Sequence, residues 1–250
     1  MLLTIVNSSG APVRVLTGPV EKGLHRIAWD LRAPAHRLPP DRPRGELDEL
    51  FGDPLTGPFV QPGEYRVTLS QRVGGVVTDL SGPVPFKVVA DPQSGLTTAD
   101  YTARWQFDEK LQALRRDIGG SIEQANVATT RIKAMTKALD ATPAAPRALH
   151  DRVRALERQL DGILVALRGD RTLGSRSGPQ PIAISERVNT ISAELRSTLG
   201  RPTQTHEEQY QIALDLFGPQ RSALRQAIDV DLPAIERELE RLGAPYAARH

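Results

Sequence analysis

The sequence predicts an α+β protein of two domains, an antiparallel β-sandwich over residues 1–95 and an antiparallel four-helix bundle over residues 97–250. Glycine and proline divide the chain, since 12 of the 20 prolines and 11 of the 20 glycines fall within residues 1–96. Apolar residues alternate one by one in this first part, as a strand with one buried face requires. In the second part they recur at spacings of three and four, which is typical of amphipathic helices.

Composition excludes several classes of protein. The chain has no cysteine, which rules out a disulfide framework, a thiolate metal site and a cysteine nucleophile. Its 32 basic and 30 acidic residues leave a net charge of +2, too balanced for a dedicated nucleic-acid binder. No window approaches the roughly 18 apolar residues of a membrane helix, and the first residues do not have the pattern of a signal peptide. Because Met1 runs directly into the apolar Leu2–Val6, we expect a piece of a longer protein.

The first domain is predicted to hold six short strands, with the clearest alternation in Tyr65–Ser70. Glycine, proline, asparagine and serine mark the turns between them. The stretch 33–61 has six prolines and no periodicity, which indicates a long Pro-rich surface loop. The predicted strands are Leu2–Val6, Pro12–Leu16, Leu24–Leu31, Tyr65–Ser70, Val76–Leu80 and Val84–Val89.

The second domain is predicted to hold four helices, at about 98–140, 146–169, 183–199 and 205–243. Thr97 with Asp100 and Thr205 with Glu208 have capping-box spacing before the first and fourth helices. Pro219 and Pro233 should kink or break the fourth helix, and Gly119-Gly120 indicates a kink or a close helix approach in the first. The apolar stripe of the first helix comprises Phe107, Leu111, Leu114, Ile118, Ser121, Ala125, Ala128, Ile132, Met135 and Leu139.

Few residues have the pattern of a reactive site. Glu46, Asp48, Glu49 and Asp53 crowd the loop 33–61, where paired carboxylates could perform glycosidic acid–base chemistry. A solvated charge cluster is the preferred interpretation, because Arg42 and Arg44 stand beside them. His206 precedes Glu207 and Glu208, but these acids more simply complement a helix dipole than bind a metal. We therefore predict no catalytic residue, no cofactor and no metal site.

The two tryptophans could be sugar-stacking platforms or core residues. Trp29 shares a predicted strand face with Ile27 and Leu31, which favours the core. Trp105 stands just before the apolar stripe of the first helix. Tyr101 and Trp105 lie four residues apart, so we expect both to pack where the helix meets the sandwich. The stripe itself has an alternative interpretation as an oligomerisation seam, which would require an exposed apolar face.

Two sets of motifs carry a resemblance to a known family. Those of the first half are Ile5-Val6-Asn7-Ser8-Ser9-Gly10, Gly23-Leu24-His25-Arg26-Ile27-Ala28-Trp29-Asp30-Leu31-Arg32, Pro62-Gly63-Glu64-Tyr65-Arg66-Val67-Thr68-Leu69 and Val88-Val89-Ala90-Asp91-Pro92. Those of the second half are Arg187-Val188-Asn189-Thr190-Ile191, Pro202-Thr203-Gln204-Thr205 and Asp231-Leu232-Pro233-Ala234-Ile235-Glu236. Through these motifs the chain resembles the C-terminal region of large bacterial proteins with sortilin-like, BNR-type β-propellers, which are glycosyl-hydrolase-like. The first half is similar to their Ig-like, or fibronectin-like, module, and the helical half is similar to their tail.

The resemblance implies a role but no site. The propeller repeats are absent from this chain, so Trp29, Asp30, Pro62, Gly63 and Tyr65 match as determinants of the fold alone. It implies propeller domains as partners, in a periplasmic or extracellular protein. We expect a non-catalytic accessory module. The alternatives are a fragment that contributes the loop 33–61 to a glycosidase site, and an oligomeric adaptor that associates through its helices.

Overall fold

The computed structural model describes residues 1–34, 57–170, 181–196 and 198–245. It is a mixed α+β structure with one four-stranded antiparallel sheet and four main helical segments. The chain divides into two compact units. The first comprises Met1–Gln112 with Leu195–Pro202, and the second comprises Ala113–Glu194 with Thr203–His250. The expected division at residues 95–97 concerns independent domains and stays a prediction.

The sheet of the first unit has the strand order β2-β1-β3-β4, and every pair is antiparallel. Two strands expected at 76–80 and 84–89 form one long strand, β4. The register shifts within it, since Leu69 pairs with Ser81 and Ser70 with Asp79, which leaves Leu80 as the extra residue of a bulge. The strands are β1 (Leu2–Asn7), β2 (Pro12–Thr17), β3 (Gly63–Val73) and β4 (Val76–Val88).

The strand expected at Leu24–Leu31 is wrong. This segment belongs to no ladder, and the bridge nearest to it joins Arg32 to Phe59. Its alternation is only partly reproduced, because Ile27 and Trp29 are half-buried whereas His25 and Leu31, on the same predicted face, are exposed. Leu31 has φ +56°, a left-handed conformation that turns the chain out of the extended path. Apolar alternation predicted an extended backbone, but it does not specify a neighbouring strand.

The core of the first unit lies on one face of the sheet. Among the described residues this face is covered by single side chains and an extended segment rather than by a second sheet. The buried residues are Ile5, Val60, Tyr65 and Val88, and Val13, Leu16, Trp29, Val67, Phe86 and Trp105 pack against them.

The helices follow the apolar spacing of the sequence. They are α1 (Thr98–Asp140), α2 (Arg147–Arg168), α3 (Ile184–Arg196), α4 (Gln204–Gln226) and α5 (Leu232–Arg241). Every residue of the predicted stripe in α1, from Phe107 to Leu139, is buried. The oligomerisation alternative therefore lacks the exposed seam that it required. None of the helices in the described ranges combines the length and the apolarity needed to cross a membrane.

One predicted capping box is confirmed and the other is wrong. The Thr97 backbone N–H donates to the Asp100 carboxylate at 2.8 Å, and the Asp100 N–H donates to the Thr97 hydroxyl at 3.3 Å. The hydrogen bond that the Thr97 hydroxyl donates to the Asp100 carboxylate at 2.7 Å, together with that of the Thr97 N–H, lowers the pKa of Asp100. The α4 helix begins earlier than expected, with Thr203 as its cap. The His206 N–H donates to the Thr203 hydroxyl, and the His206 Nδ1 accepts from the Thr203 N–H.

The two expected irregularities of the helices have different outcomes. A π-helical turn at Ala227–Asp231 separates α4 from α5 immediately before Pro233, whose ring and missing N–H cannot continue a regular α-helix. Pro219 is accepted inside α4. Gly119 and Gly120 lie within the unbroken α1, and a Cβ atom on either would meet no atom within 4 Å. The close helix approach expected there is wrong.

Candidate functional site

The segment Trp29–Arg32 forms a compact turn at the border of the core. The indole N–H of Trp29 donates to the Arg32 carbonyl at 3.0 Å, and the Arg32 N–H donates to the Asp30 carboxylate at 3.1 Å. Asp30 also lies 3.8 Å from the guanidinium of Arg14 on β2. Tryptophan and aspartate in this motif thus hold the turn that contains the left-handed Leu31.

Trp29 belongs to an aromatic cluster on the buried face of the sheet. Its ring meets Tyr65 and Phe86 edge-on, with centroid distances of 5.8 and 6.1 Å, and Tyr65 and Phe86 stack at 5.9 Å. The Tyr65 hydroxyl donates to the Gln61 carbonyl at 2.7 Å, and burial raises its pKa. Pro62 precedes β3, and Gly63 opens it opposite Val88. The Trp29 ring therefore packs against other aromatic side chains, whereas a sugar-stacking platform needs an exposed ring face.

The first turns of α1 belong to the same compact unit as the sheet. Trp105 packs against the core cluster. Tyr101, one turn earlier, lies beside Trp105 along a small cavity, and its hydroxyl is 3.3 Å from the hydroxyl of Ser94. The two aromatic residues therefore line the same cavity from one side of α1.

The Arg104 side chain forms four hydrogen bonds within the first unit. Its guanidinium donates to the backbone carbonyls of Leu195, Thr198 at 2.7 Å and Gly200 at 3.3 Å. These carbonyls lie at and beyond the C-terminal end of α3, where backbone acceptors have no partners within the helix. A cation at this position also favours the helix dipole. Arg104 thus caps α3 from a distant part of the sequence.

Asp108 completes this group, which we call the Arg104 network (Arg104, Asp108 and the carbonyls of residues 195–200). Its carboxylate accepts from Arg104 Nε at 2.7 Å, and both side chains are buried. Burial raises the pKa of Asp108, while the charge and hydrogen bond of Arg104 oppose that shift. A buried, charged pair of this kind requires its partners, because an isolated charge in such a place is strongly unfavourable.

A small cavity lies beside the Arg104 network. Its volume of about 30 Å³ suits a water molecule or two rather than a sugar ring. At its edge the guanidinium of Arg32 stacks on the Phe59 ring at 3.6 Å and donates to the Gly57 carbonyl at 3.2 Å. Burial lowers the pKa of Arg32, and Asp30 opposes that shift. The cavity is lined by Phe59, Val60, Gln61, Tyr101, Arg104, Trp105, Asp108 and Leu199.

The residues weighed for acid–base or metal chemistry do not converge on this cavity in the described structure. Glu46, Asp48, Glu49 and Asp53 lie outside the described residues, as does most of the loop 33–61. His206 is committed to its helix cap, and its Nε2 lies 2.9 Å from a Glu194 carboxylate oxygen. Within the described ranges no three His, Asp or Glu side chains are grouped as metal ligands.

The outer half of the β3–β4 hairpin has the opposite character, because its apolar side chains are exposed. We call residues 70–81 the distal arm. The exposed fractions are 68% for Val73, 67% for Val76, 54% for Val77 and 46% for Leu80. Exposed apolar residues that adjoin one another mark interaction surfaces more often than single ones do.

Sequence reasoning missed both the Arg104 network and the distal arm. Arg104 and Asp108 fall in register with the apolar stripe of α1. Arg104 lies three residues before Phe107, and Asp108 lies three residues before Leu111. Charged residues at stripe positions are a signal of buried charge that could have been used. The distal arm is rich in β-branched residues, which favour a strand but do not show where the covering layer of the sheet ends.

Comparisons with known proteins identify no relative, since no protein-family model, curated protein or solved structure matches this chain.

Proposed function

We propose that this chain is a non-catalytic accessory module that makes protein contacts within a larger assembly, using the distal arm as its contact surface. The observation that carries this proposal is the exposure of Val73, Val76, Val77 and Leu80 at the outer end of one hairpin, with apolar side chains on both of its faces. Removing such side chains from water would favour association by roughly 25 cal/mol per Å² of apolar surface.

The rest of the first unit supports this interpretation. Its aromatic residues fill the core, and its buried Arg104 and Asp108 bind each other and backbone carbonyls, so these groups have structural roles. The cavity beside them is far smaller than the pockets that hold organic ligands. The first unit would therefore bind a partner through its surface rather than enclose a substrate.

The proposal includes the finer fold and the setting that the resemblance implies. The sheet with its aromatic core is interpreted as an Ig-like sandwich, and the buried stripes of the helices as those of an antiparallel four-helix bundle. The partner would be a sortilin-like, BNR-type β-propeller domain of the same or a neighbouring chain, in the periplasm or outside the cell. The module would hold the propeller in place, and any hydrolysis would belong to the parent protein.

The test is binding to a purified sortilin-like propeller, measured by isothermal titration calorimetry. The double substitution Val76→Thr with Val77→Thr keeps side-chain shape and should weaken binding about tenfold or more. Val20→Thr is the matched control, since Val20 is 76% exposed but lies outside the hairpin. Equal affinities of all three proteins would contradict the proposal. Release of a chromogenic aglycone by the chain alone, lost on Asp48→Ala, would contradict its non-catalytic part.

A further inference from the structure

We propose that the distal arm receives an extended strand of a partner protein along the free edge of β4, and that this strand carries a basic side chain opposite Asp79. The inference rests on the proposed function and names the partner's chemistry. It follows from the backbone groups that β4 leaves unpaired, from two prolines, and from the placement of one carboxylate.

The register of the hairpin determines which backbone groups face outward. Gly74 and Gly75 form the two-residue turn, and Val73 pairs with Val76. In such a hairpin the closing pair is hydrogen-bonded, and every second residue directs its N–H and C=O away from the partner strand. Val77 and Asp79 are therefore the outward residues of β4. Among the described strands, none pairs with this side of β4.

Two prolines limit the open edge to its outer half. Pro85 pairs with Arg66 and has no N–H to offer on the open side of β4, and Pro83 has none either. Proline at outward positions blocks strand addition, a common protection of edge strands. The segment Val76–Asp79 contains no proline and ends before the bulge at Leu80. Its four residues offer about 13 Å of strand length.

The side chains of this segment select the incoming strand. Val76 and Thr78 lie on one face, and Val77 and Asp79 on the other, which suits β-branched neighbours. Asp79 is the sole charged residue of Val76–Ser81. Its carboxylate accepts a hydrogen bond from the Ser70 hydroxyl at 2.7 Å and is held at the surface of the arm. A partner strand with a basic residue opposite Asp79 satisfies this charge.

A second copy of the chain fits this edge poorly. If two copies pair antiparallel with Val77 opposite Asp79, the two Asp79 carboxylates become diagonal neighbours and repel each other. If Asp79 faces Asp79, the repulsion is direct. If Val77 faces Val77, strand pairing extends over three residues and then reaches the glycine turn. Charge complementarity therefore favours a different protein with a basic strand residue.

The experiment uses two fluorescent six-residue peptides of alternating threonine and valine, one with an arginine in place of the central valine and one with a glutamate there. Fluorescence anisotropy of the full chain should show that the arginine peptide binds about tenfold more tightly than the glutamate peptide. Asp79→Lys should reverse this order. Because both peptides meet the same protein surface, the reversal separates charge matching from simple adhesion to valine.

A second comparison tests the backbone. The arginine peptide with alternate amides N-methylated keeps its side chains but cannot extend the ladder, and it should lose its binding at least tenfold. Undiminished binding of the methylated peptide, no reversal by Asp79→Lys, absence of peptide binding, or dimerisation through the arm would each overturn the inference. The proposed function fails separately, if Val76→Thr with Val77→Thr leaves propeller binding unchanged.

Discussion

Replacement of Arg104 by methionine keeps most of the side-chain length but removes the guanidinium that joins α1 to the end of α3. The loss leaves the buried Asp108 without its 2.7 Å partner and leaves the carbonyls of Leu195, Thr198 and Gly200 without their donor. Breaking a buried ion pair from one side costs about 3–5 kcal/mol. We expect Arg104→Met to lower the free energy of unfolding of the first unit by that amount.

The pH dependence of this loss has a defined sign. Burial raises the pKa of Asp108 in the folded protein above its unfolded value, and removal of Arg104 takes away the charge that opposes the shift. A carboxyl group with a raised folded pKa stabilises the fold most below its unfolded pKa, and this contribution is lost as pH rises through the folded pKa. The difference between Arg104→Met and the parent should therefore be smaller at pH 5 than at pH 8.

Urea unfolding followed by tryptophan fluorescence measures this prediction. The chain has two tryptophans, Trp29 and Trp105, and both lie in the first unit, so the signal reports on that unit. Arg201→Met is the matched control, because Arg201 is 68% exposed and only 3.7 Å from Asp100, and it should cost less than about 1 kcal/mol. Equal effects of Arg104→Met and Arg201→Met, or a larger loss at pH 5, would refute the reasoning.

Three further predictions concern glycines and a helix cap. Gly57→Ala should strongly lower the midpoint of urea unfolding, because its Cβ would lie 2.3 Å from a backbone oxygen, whereas Gly82→Ala, with open space around it, should have little effect. Gly119→Ala and Gly120→Ala should each raise the free energy of unfolding by about 1 kcal/mol, measured from melts followed by helical circular dichroism. No gain in stability would indicate that the flexibility of these glycines has a role. His206→Ala should lower the free energy of unfolding by about 1 kcal/mol in the same measurement, because it removes the acceptor for the Thr203 N–H. His206→Gln keeps an acceptor at the N3 position of α4 and should recover most of this stability. Equal losses in the two variants would exclude the helix cap as the cause.

The helices could be predicted closely because their signals are local. The stripe from Phe107 to Leu139 repeats every three to four residues, and each member is buried in the structure. The Thr97 cap was predicted because both partners lie within one turn. The cap of α4 was misplaced because histidine at N3 is not part of the usual capping pattern, although the ring nitrogen accepts a hydrogen bond as a carboxylate does.

The candidate site was harder to predict because its partners are distant in sequence. Alternation at Trp29 and Ile27 indicated an extended chain, but whether such a chain joins a sheet depends on a neighbour that the pattern does not identify. Arg104 and Asp108 have the spacing of an ordinary exposed helix pair, and what distinguishes them is the set of carbonyls more than ninety positions away. The acidic residues of the loop 33–61, interpreted from the sequence as a solvated charge cluster, lie outside the described residues.

The bond from Arg104 to the Leu195 carbonyl closes a loop of 91 residues. Bringing together the ends of a flexible loop of that length costs about 4 kcal/mol of chain entropy. The Arg104 network must offset this cost before it adds anything to stability, so we expect it to form late in folding. A fragment that ends at Gln112 would keep the sheet and Trp105 but would lack Leu195–Pro202, and Arg104 would then have Asp108 as its sole partner from the network. Such a fragment should expose the end of α1 to proteases, and addition of a peptide spanning residues 184–202 should restore protection.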